Sequence, residues 1–307
     1  MVKITAIVPT HNRAKFLGRC LISLCQQTLD PALYEICVVN NASTDATAEV
    51  AAMVAAHCPD RTFVIVEEPK LGLSRARNCG IAATTAPLIA FADDDATMPP
   101  EWLEKFVNRF EELGAGVGKI GGEIEPIWET PRPDWITEPM LALLSANAGH
   151  GDTAKFCDYP ITECNSCYRR EALDAVGNFP ENLGRVGNSL LSNEGVIDWV
   201  IRASDYKLFF DPDIRIKHFI HADRLTPQWF RRRYFWQGVS DYVGIQYLNK
   251  RNLGFTDEIR PVLPLDATDW AFVNDPNAVT ERMDLHMTKF HWLGFVLTMS
   301  GLIRVDG

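Results

Sequence analysis

The chain has no apolar run long enough to cross a bilayer. A spanning helix needs ~20 consecutive apolar residues, and the longest candidate, Trp292 to Ile303, is a dozen residues broken by Gly294, Thr298, Ser300 and Gly301. The N-terminus, Met1 to Pro9, lacks a basic segment followed by an apolar core and a small-residue cleavage site. It is therefore read as a first strand, and a cytoplasmic protein is expected. Positive charge is short too. Thirty Lys and Arg against 40 Asp and Glu leave a formal net charge of −10, which opposes attraction to a polyphosphate backbone, so no nucleic-acid partner is expected. Eight cysteines are present, but only Cys164 and Cys167 have CxxC spacing. No second pair stands nearby to complete a four-ligand zinc site, and reduced thiols are expected. Internal repeats and low-complexity tracts are absent. With 47% hydrophobic and 23% charged residues over 307 positions, disordered, collagen-like and coiled-coil classes are excluded. The length allows one large domain with an extension, or two modest domains.

What is there begins with alternation. Apolar runs at Ile4 to Val8, Tyr34 to Val39, Thr62 to Val66 and Pro87 to Ala92 are interleaved with helical patterns at Ala14 to Gln27, Ala46 to Ala56 and Ser74 to Ala83. That βαβαβαβ order predicts a parallel sheet covered by helices, with ligands beyond the carboxyl ends of its strands. Polar residues fall at those ends: Thr10, His11, Asn12 and Arg13, then Asn40 and Asn41, then Asp93, Asp94 and Asp95. A helix is expected over Glu101 to Leu113, after which the doubly wound pattern stops. A strand over Val117 to Ile127 leads into a loop rich in proline with Trp128 and Trp135. Apolar or alternating stretches return at Ile161 to Tyr168 and Lys207 to Phe210, with a helix starting near Glu194. Residues 1–114 are read as one half of a domain, 115–225 as a second half on the same sheet, and 226–307 as a mostly helical extension.

Three consecutive aspartates after a strand repel one another unless a cation or hydrogen-bond donors share their charge. Carboxylate oxygens suit a hard divalent ion such as Mg²⁺ or Mn²⁺; a polar turn capping the next helix is the structural alternative. Asp93-Asp94-Asp95-Ala96-Thr97 also reads as D-x-D-x-T, the nucleophile loop of haloacid-dehalogenase-like phosphatases. That loop normally follows the first core strand and here follows the fourth.

The order of all these features matches another family better. Ile7-Val8-Pro9-Thr10-His11-Asn12-Arg13, Val38-Val39-Asn40-Asn41-Ala42-Ser43-Thr44-Asp45, Gly72 to Ile81 and Ile89 to Asp95, taken in register, resemble the inverting family-two glycosyltransferases of GT-A fold, of bacterial type. The resemblance continues through Asn165 to Leu173, Leu190 to Glu194 and Tyr206 to His218, covering about residues 3 to 221. It implies a Rossmann-like nucleotide-binding half whose mixed sheet continues into an acceptor half. It also implies transfer of a sugar from a UDP, dTDP or GDP donor to a carbohydrate or lipid-linked acceptor, in polysaccharide or glycoconjugate synthesis.

Roles follow residue by residue from the resemblance. Asp93, Asp95 and His218 are expected to hold the metal, Mn²⁺ or Mg²⁺, with Asp95 foremost and Asp94 facing the ribose. Loss of Asp95 is expected to damage turnover more than folding. Pro9, Thr10, Asn12, Arg13, Asn40, Asn41, Arg75 and Arg77 are expected around the nucleotide. The family usually has Asp where this chain has Asn40, and a neutral amide that both donates and accepts makes base recognition less selective. Glu194 maps to the base that takes the acceptor hydroxyl's proton; a capped helix start is the structural alternative. Many relatives carry a second acid where this chain has Gly195, a role that Asp198 could supply, although Asp198 and Arg202 also have the spacing of a helical ion pair. On the acceptor side stand Trp128, Trp135 and Asn165, with core packing the alternative for the indoles. The run Trp229 to Trp236 is read as an amphipathic helix or a contact to diphosphate, lipid-linked acceptor or membrane, and peripheral attachment to the inner membrane face is an expectation. A nucleotide-sugar-binding protein without turnover is the competing class, prompted by Asn40 and Gly195.

Overall fold

In the computed structural model, residues 1–146, 149–192, 194–253, 275, 278, 279 and 283–305 are described. The first half runs β1 (Ile4–Thr10), α1 (Ala14–Cys25), β2 (Tyr34–Asn41), α2 (Thr47–His57), β3 (Phe63–Glu68), α3 (Leu73–Ala82), β4 (Leu88–Ala92), the two-residue β5 (Ala96–Thr97) and α4 (Trp102–Leu113). Then follow β6 (Val117–Trp128), α5 (Glu138–Leu141), β7 (Lys155–Cys157), β8 (Asn165–Arg169), α6 (Arg170–Val176), α7 (Glu194–Arg202), β9 (Lys207–Ile220), α8 (Pro227–Lys250) and α9 (Met283–Met299). The expected elements of the first half are present, displaced by one or two residues at their ends; in the second half β8 begins four residues later than expected, β9 runs ten residues further, and β7 is not among the expected strands.

Strand β1 is buried at every position, the continuous apolar run of a strand covered on both faces. Helix α4 instead buries one stripe, Trp102, Leu103, Phe106, Val107 and Phe110, and leaves its acidic residues outward; that spacing is a helix laid on a sheet. It stops at Gly114, whose φ of 76° suits a residue without Cβ.

The sheet order is β3-β2-β1-β4-β8-β6-β9-β5, with β7 added to β9. Strands β1 to β4 are mutually parallel, β8 runs antiparallel to both β4 and β6, and β6 and β9 are again parallel. The register between β6 and β9 shifts at Gly122 and Glu123. A Cβ on Gly122 would lie 1.8 Å from the Ile214 carbonyl oxygen, so the bulge demands glycine.

Helices α8 and α9 close the molecule. Thr226 caps α8 by accepting from the Trp229 amide, and Pro227 occupies its first turn, where a missing N–H costs nothing. The two helices touch backbone to backbone: a Cβ on Gly238 would meet the His291 carbonyl oxygen at 1.8 Å, and one on Gly294 the Phe235 oxygen at 2.0 Å. The apolar end of the chain thus packs on the basic aromatic helix. Among the described residues no helix is long and apolar enough to cross a membrane.

One charged cluster lies in the core. Lys119 of β6, wholly buried, donates to both oxygens of Asp198 at 2.8 and 2.9 Å, to Glu163 at 3.1 Å and to the Ile161 carbonyl at 2.6 Å. The Tyr168 hydroxyl donates to Glu163 at 2.7 Å. Burial, with Glu163 adding repulsion and Lys119 opposing it, pushes the Asp198 carboxyl up to about 7. Asp198 therefore does not form the helical pair with Arg202, which reaches Asp158 instead.

Candidate active site

The carboxyl ends of β1, β2 and β4 open on a crevice of about 260 Å³. Strand β4 ends at Ala92, and the chain then turns through Asp93, Asp94 and Asp95, the Asp93 carbonyl accepting from the Ala96 amide at 3.0 Å. Residue Ala96 pairs in register with His218 of β9. That short strand pairing brings His218 Nε2 to 3.1 Å from Asp95 Oδ1, while His221 Nε2 lies 3.1 Å and Arg224 3.4 Å from the other oxygen. The second nitrogen of the His218 ring, Nδ1, faces the Ser145 carbonyl at 3.1 Å, a contact that orients the ring as metal-ligating histidines are usually oriented.

Neighbouring aspartates are driven apart. Burial and the adjacent Asp95 push the Asp94 carboxyl up to about 8, with Arg13 opposing; the Arg13 Nε lies 3.6 Å away. Burial also acts on Asp95, but His218, His221 and Arg224 outweigh it and hold that carboxyl well below the usual range. Two neighbouring carboxyls pushed in opposite directions within one cleft mark a candidate functional site.

Asp93, Cys164 and His218 each direct a ligand atom into one region, all within 4.8 Å of one another. The Asp93 carboxylate with the His218 imidazole fits the expected Mn²⁺, whereas the Cys164 thiol is a softer ligand that favours zinc-like ions. Cys164 was not among the sequence candidates. Its place follows from the pairing of Ala92 with Asn165: because β8 is antiparallel to β4, the residue entering β8 sits beside the residue leaving β4. Neither the CxxC spacing nor periodicity carries that signal.

Of the expected nucleotide residues, Pro9, Thr10, Arg13, Asn41, Arg77 and Asp94 line the crevice. Asn41 shapes it as well, donating to the Glu68 and Lys70 carbonyls and accepting from the Gly72 amide at 2.8 Å. The Arg77 guanidinium, 2% exposed, lies over Phe91 and Phe179 at 5.6 and 5.4 Å.

Three others stand elsewhere. Asn40 points to the opposite side of β2 and donates to Glu67 at 2.8 and 3.0 Å, as the alternation of a strand requires. Asn12, at φ 52°, uses its side-chain oxygen to accept from the Thr44 and Asp45 amides. Arg75 pairs with Glu181.

Of the acceptor-side residues, Asn165 lies in the core and the two indoles are half-buried. Asn165 is wholly buried; its amide donates to the Glu123 and Ile214 carbonyls and its oxygen accepts from the Trp102 indole, all at 2.8 Å. Every hydrogen-bonding group it owns is engaged in the core, so none remains for a ligand. Trp128 and Trp135 pack against a cluster containing Ile136, Ile220 and Phe230, Trp135 edge-on to Phe230 at 5.3 Å. Glu194 opens α7, and its side chain lies outside the described residues.

Similar proteins agree with this architecture. The chain is 28% identical over 213 residues to Glycosyltransferase AglE of Haloferax volcanii, covering 69% of this chain and 65% of that relative. It is 25% identical over 252 residues to a glucosyl-dolichyl phosphate glucuronosyltransferase of the same organism, covering 79% and 77%. Among solved structures, the mannosyltransferase PcManGT from Pyrobaculum calidifontis, in complex with GDP-Man and Mn²⁺, superposes with a TM-score of 0.63 at 18% identity over 97% of this chain and 87% of that one. S. aureus TarS 1-349 in complex with UDP-GlcNAc gives 0.58 at 16%, over 98% and 92%. The curled mixed sheet with its flanking helices is the GT-A fold. Residues 5–177 match the sequence model described as Glycosyl transferase family 2, and with more than half of its length matched this chain belongs to that family.

Proposed function

We propose that the protein transfers a sugar from a nucleoside diphosphate sugar to an acceptor hydroxyl, with inversion at the anomeric carbon and with a divalent metal ion. The observation that carries this reading is the convergence of Asp93, Asp94 and Asp95 with Arg13, Arg77 and His218 on one crevice at the carboxyl ends of parallel strands. Asp93, His218 and Cys164 would hold the ion, with Asp95 beside them; Mn²⁺ suits this donor set better than Mg²⁺, which prefers oxygen alone. Such an ion neutralises charge on the departing diphosphate.

The chain's own residues supply the rest. Pro9, Thr10 and Asn41 form the wall for base and ribose, and Asp94, 3.6 Å from Arg13, is placed to accept from a ribose hydroxyl. Arg13 and Arg77 place positive charge where the diphosphate lies. Inversion needs one base on the face opposite the leaving group, and Glu194 is assigned that role, receiving the acceptor proton as the hydroxyl oxygen bonds to the anomeric carbon. In this reading residues 1–114 hold the donor, 115–225 the acceptor and 226–307 form an extension. A lipid-linked acceptor, met at the inner membrane face, is favoured by the relative named for a dolichyl phosphate glycoside.

A binder without turnover is the reading suggested by Asn40 and Gly195; the Asn40 side chain lies off the crevice on Glu67 and so bears on neither reading, while Gly195 leaves Glu194 as the acid of that motif. Membership of family 2 removes the phosphatase reading. The test is thermal melting with UDP, GDP and dTDP, each with Mn²⁺, Mg²⁺ or chelator, on the native chain and on Asp93→Asn. One diphosphate should raise the melting temperature only with metal, and Asp93→Asn should abolish the shift. No shift with any of them at millimolar concentration would overturn the donor-site assignment.

A further inference from the structure

A second groove, about 430 Å³ in volume, adjoins the crevice and shares Arg13, Arg185 and Arg224 with it. Lys15 and Arg232 line this groove alone. Five cationic side chains thus face two acidic ones, Glu129 and Asp223, in a chain whose net charge is −10. Positive charge collected in one concavity of an acidic protein is a focused field for an anion. Glu129 accepts from the Ala222 amide at 2.9 Å, and Arg13 and Arg224 pair with Asp94 and Asp95 at 3.6 and 3.4 Å, so the groove's available positive charge is that of Lys15 and Arg232, which form no ion pair among the described residues. Arg232 is anchored by donating to the Asn188 carbonyl at 2.9 Å, and Lys15 extends over the Phe16 ring at 5.1 Å. The half-buried Trp229 gives the same groove an apolar wall.

Resting on the transferase reading above, we propose that this groove is an acceptor subsite for a phosphate monoester or diester: the acceptor carries phosphate close to its attacking hydroxyl. A donor diphosphate in the crevice and an acceptor phosphate in the groove would sit on either side of Arg13 and Arg224. Those two residues, paired with Asp94 and Asp95, separate the sites, and Lys15 and Arg232 face the acceptor side alone. The source of the phosphate is a lipid headgroup or a soluble phosphorylated sugar; Trp229 would read the tail of the former.

The test is calorimetric titration of the full chain, with and without UDP and Mn²⁺, using farnesyl phosphate, glucose 6-phosphate and farnesol. Both phosphates should bind and farnesol should not. Lys15→Glu combined with Arg232→Glu should weaken phosphate binding at least tenfold, while Lys15→Arg with Arg232→Lys should keep it. Binding should also fall as salt rises. Tighter binding of farnesyl phosphate than glucose 6-phosphate assigns a lipid headgroup, and equal binding assigns a soluble phosphate. The proposal is overturned if neither phosphate binds at millimolar concentration, if farnesol binds as well as its phosphate, or if the double Glu variant binds phosphate unchanged. The nucleoside diphosphate melting shift, which involves neither Lys15 nor Arg232, reports folding and the donor site. Its loss in the native chain sinks the transferase reading and leaves the groove to be judged by the phosphate titrations.

Discussion

His218 reaches Asp95 across a strand pairing only two residues long: Ala96 is in register with His218, and the His218 Nε2 lies 3.1 Å from the Asp95 Oδ1. A one-residue slip of β9 would turn His218 to the other face, so this contact reports the register of the whole second half. Replacing His218 by Ala should lower Mn²⁺ affinity and turnover about 10- to 100-fold, the usual cost of disturbing a metal's surroundings. Metal titration followed by melting, alongside initial rates, measures both.

Asp95→Asn should cost stability as well as activity, contrary to the expectation from sequence alone. Asp95 is 4% exposed and neutralises Arg224 beside two imidazoles; removing one partner of a buried ion pair costs about 3–5 kcal/mol. Asp93, which is less buried, should tolerate Asn with little change in the urea midpoint. If Asp95→Asn unfolds at the native midpoint, the ion-pair argument is wrong.

Cys164→Ser should remove a sulfur-to-metal charge-transfer band in the near ultraviolet when Co²⁺ is added, a band the native chain should show. Its ligand atom shares a 4.8 Å region with those of Asp93 and His218. A native Co²⁺ spectrum without that band would exclude the thiol from the metal's shell.

Lys119→Met tests the buried cluster through its pH dependence. The Asp198 carboxyl, pushed up to about 7 by burial, has an unfolded value near ~3.9. The folded chain therefore holds the extra proton between these values, and the stability it confers is complete below the lower value and lost as pH rises through the upper one. Without Lys119 the two carboxylates face each other unneutralised, so stability at pH 7 should drop by about 3–5 kcal/mol, less at pH 5. Urea midpoints at both values, compared with the native chain, measure the difference.

Gly238→Ala should lower the melting temperature, because the new methyl would meet the His291 carbonyl oxygen; overpacking of this kind costs about 1–3 kcal/mol. The nucleotide-dependent melting shift should survive, since no residue of either helix lines the crevice.

Much of this was legible from local pattern. The four strands leading to Asp93 and the helices between them follow from periodicity that each segment carries on its own. Thr10, Arg13, Asn41 and the three aspartates were found because strand ends in a parallel sheet gather on one side. What the pattern could not carry was strand order. Sequence places β8 after β6, yet β8 lies between β4 and β6, and only that insertion brings Cys164 to Asp93 and buries Asn165 against Trp102. Nothing local marks Lys119 as buried; β6 is a central strand without an outward face, and the charge is satisfied by residues from two distant segments. Asn40 and Asn41 are neighbours in one motif, but the pleat sends them to opposite sides.

The family match ends at residue 177, whereas His218, Arg224, Trp229 and Arg232 come later, and the helix bearing the last two is seated by its glycine contact with α9. The stretch matched by the family's sequence model ends before the C-terminal wall of the proposed acceptor groove is built. A change of acceptor could proceed by exchange of that wall and its supporting helix, leaving the machinery that handles the activated sugar untouched, and a grafted tail from a relative is expected to carry its acceptor preference with it.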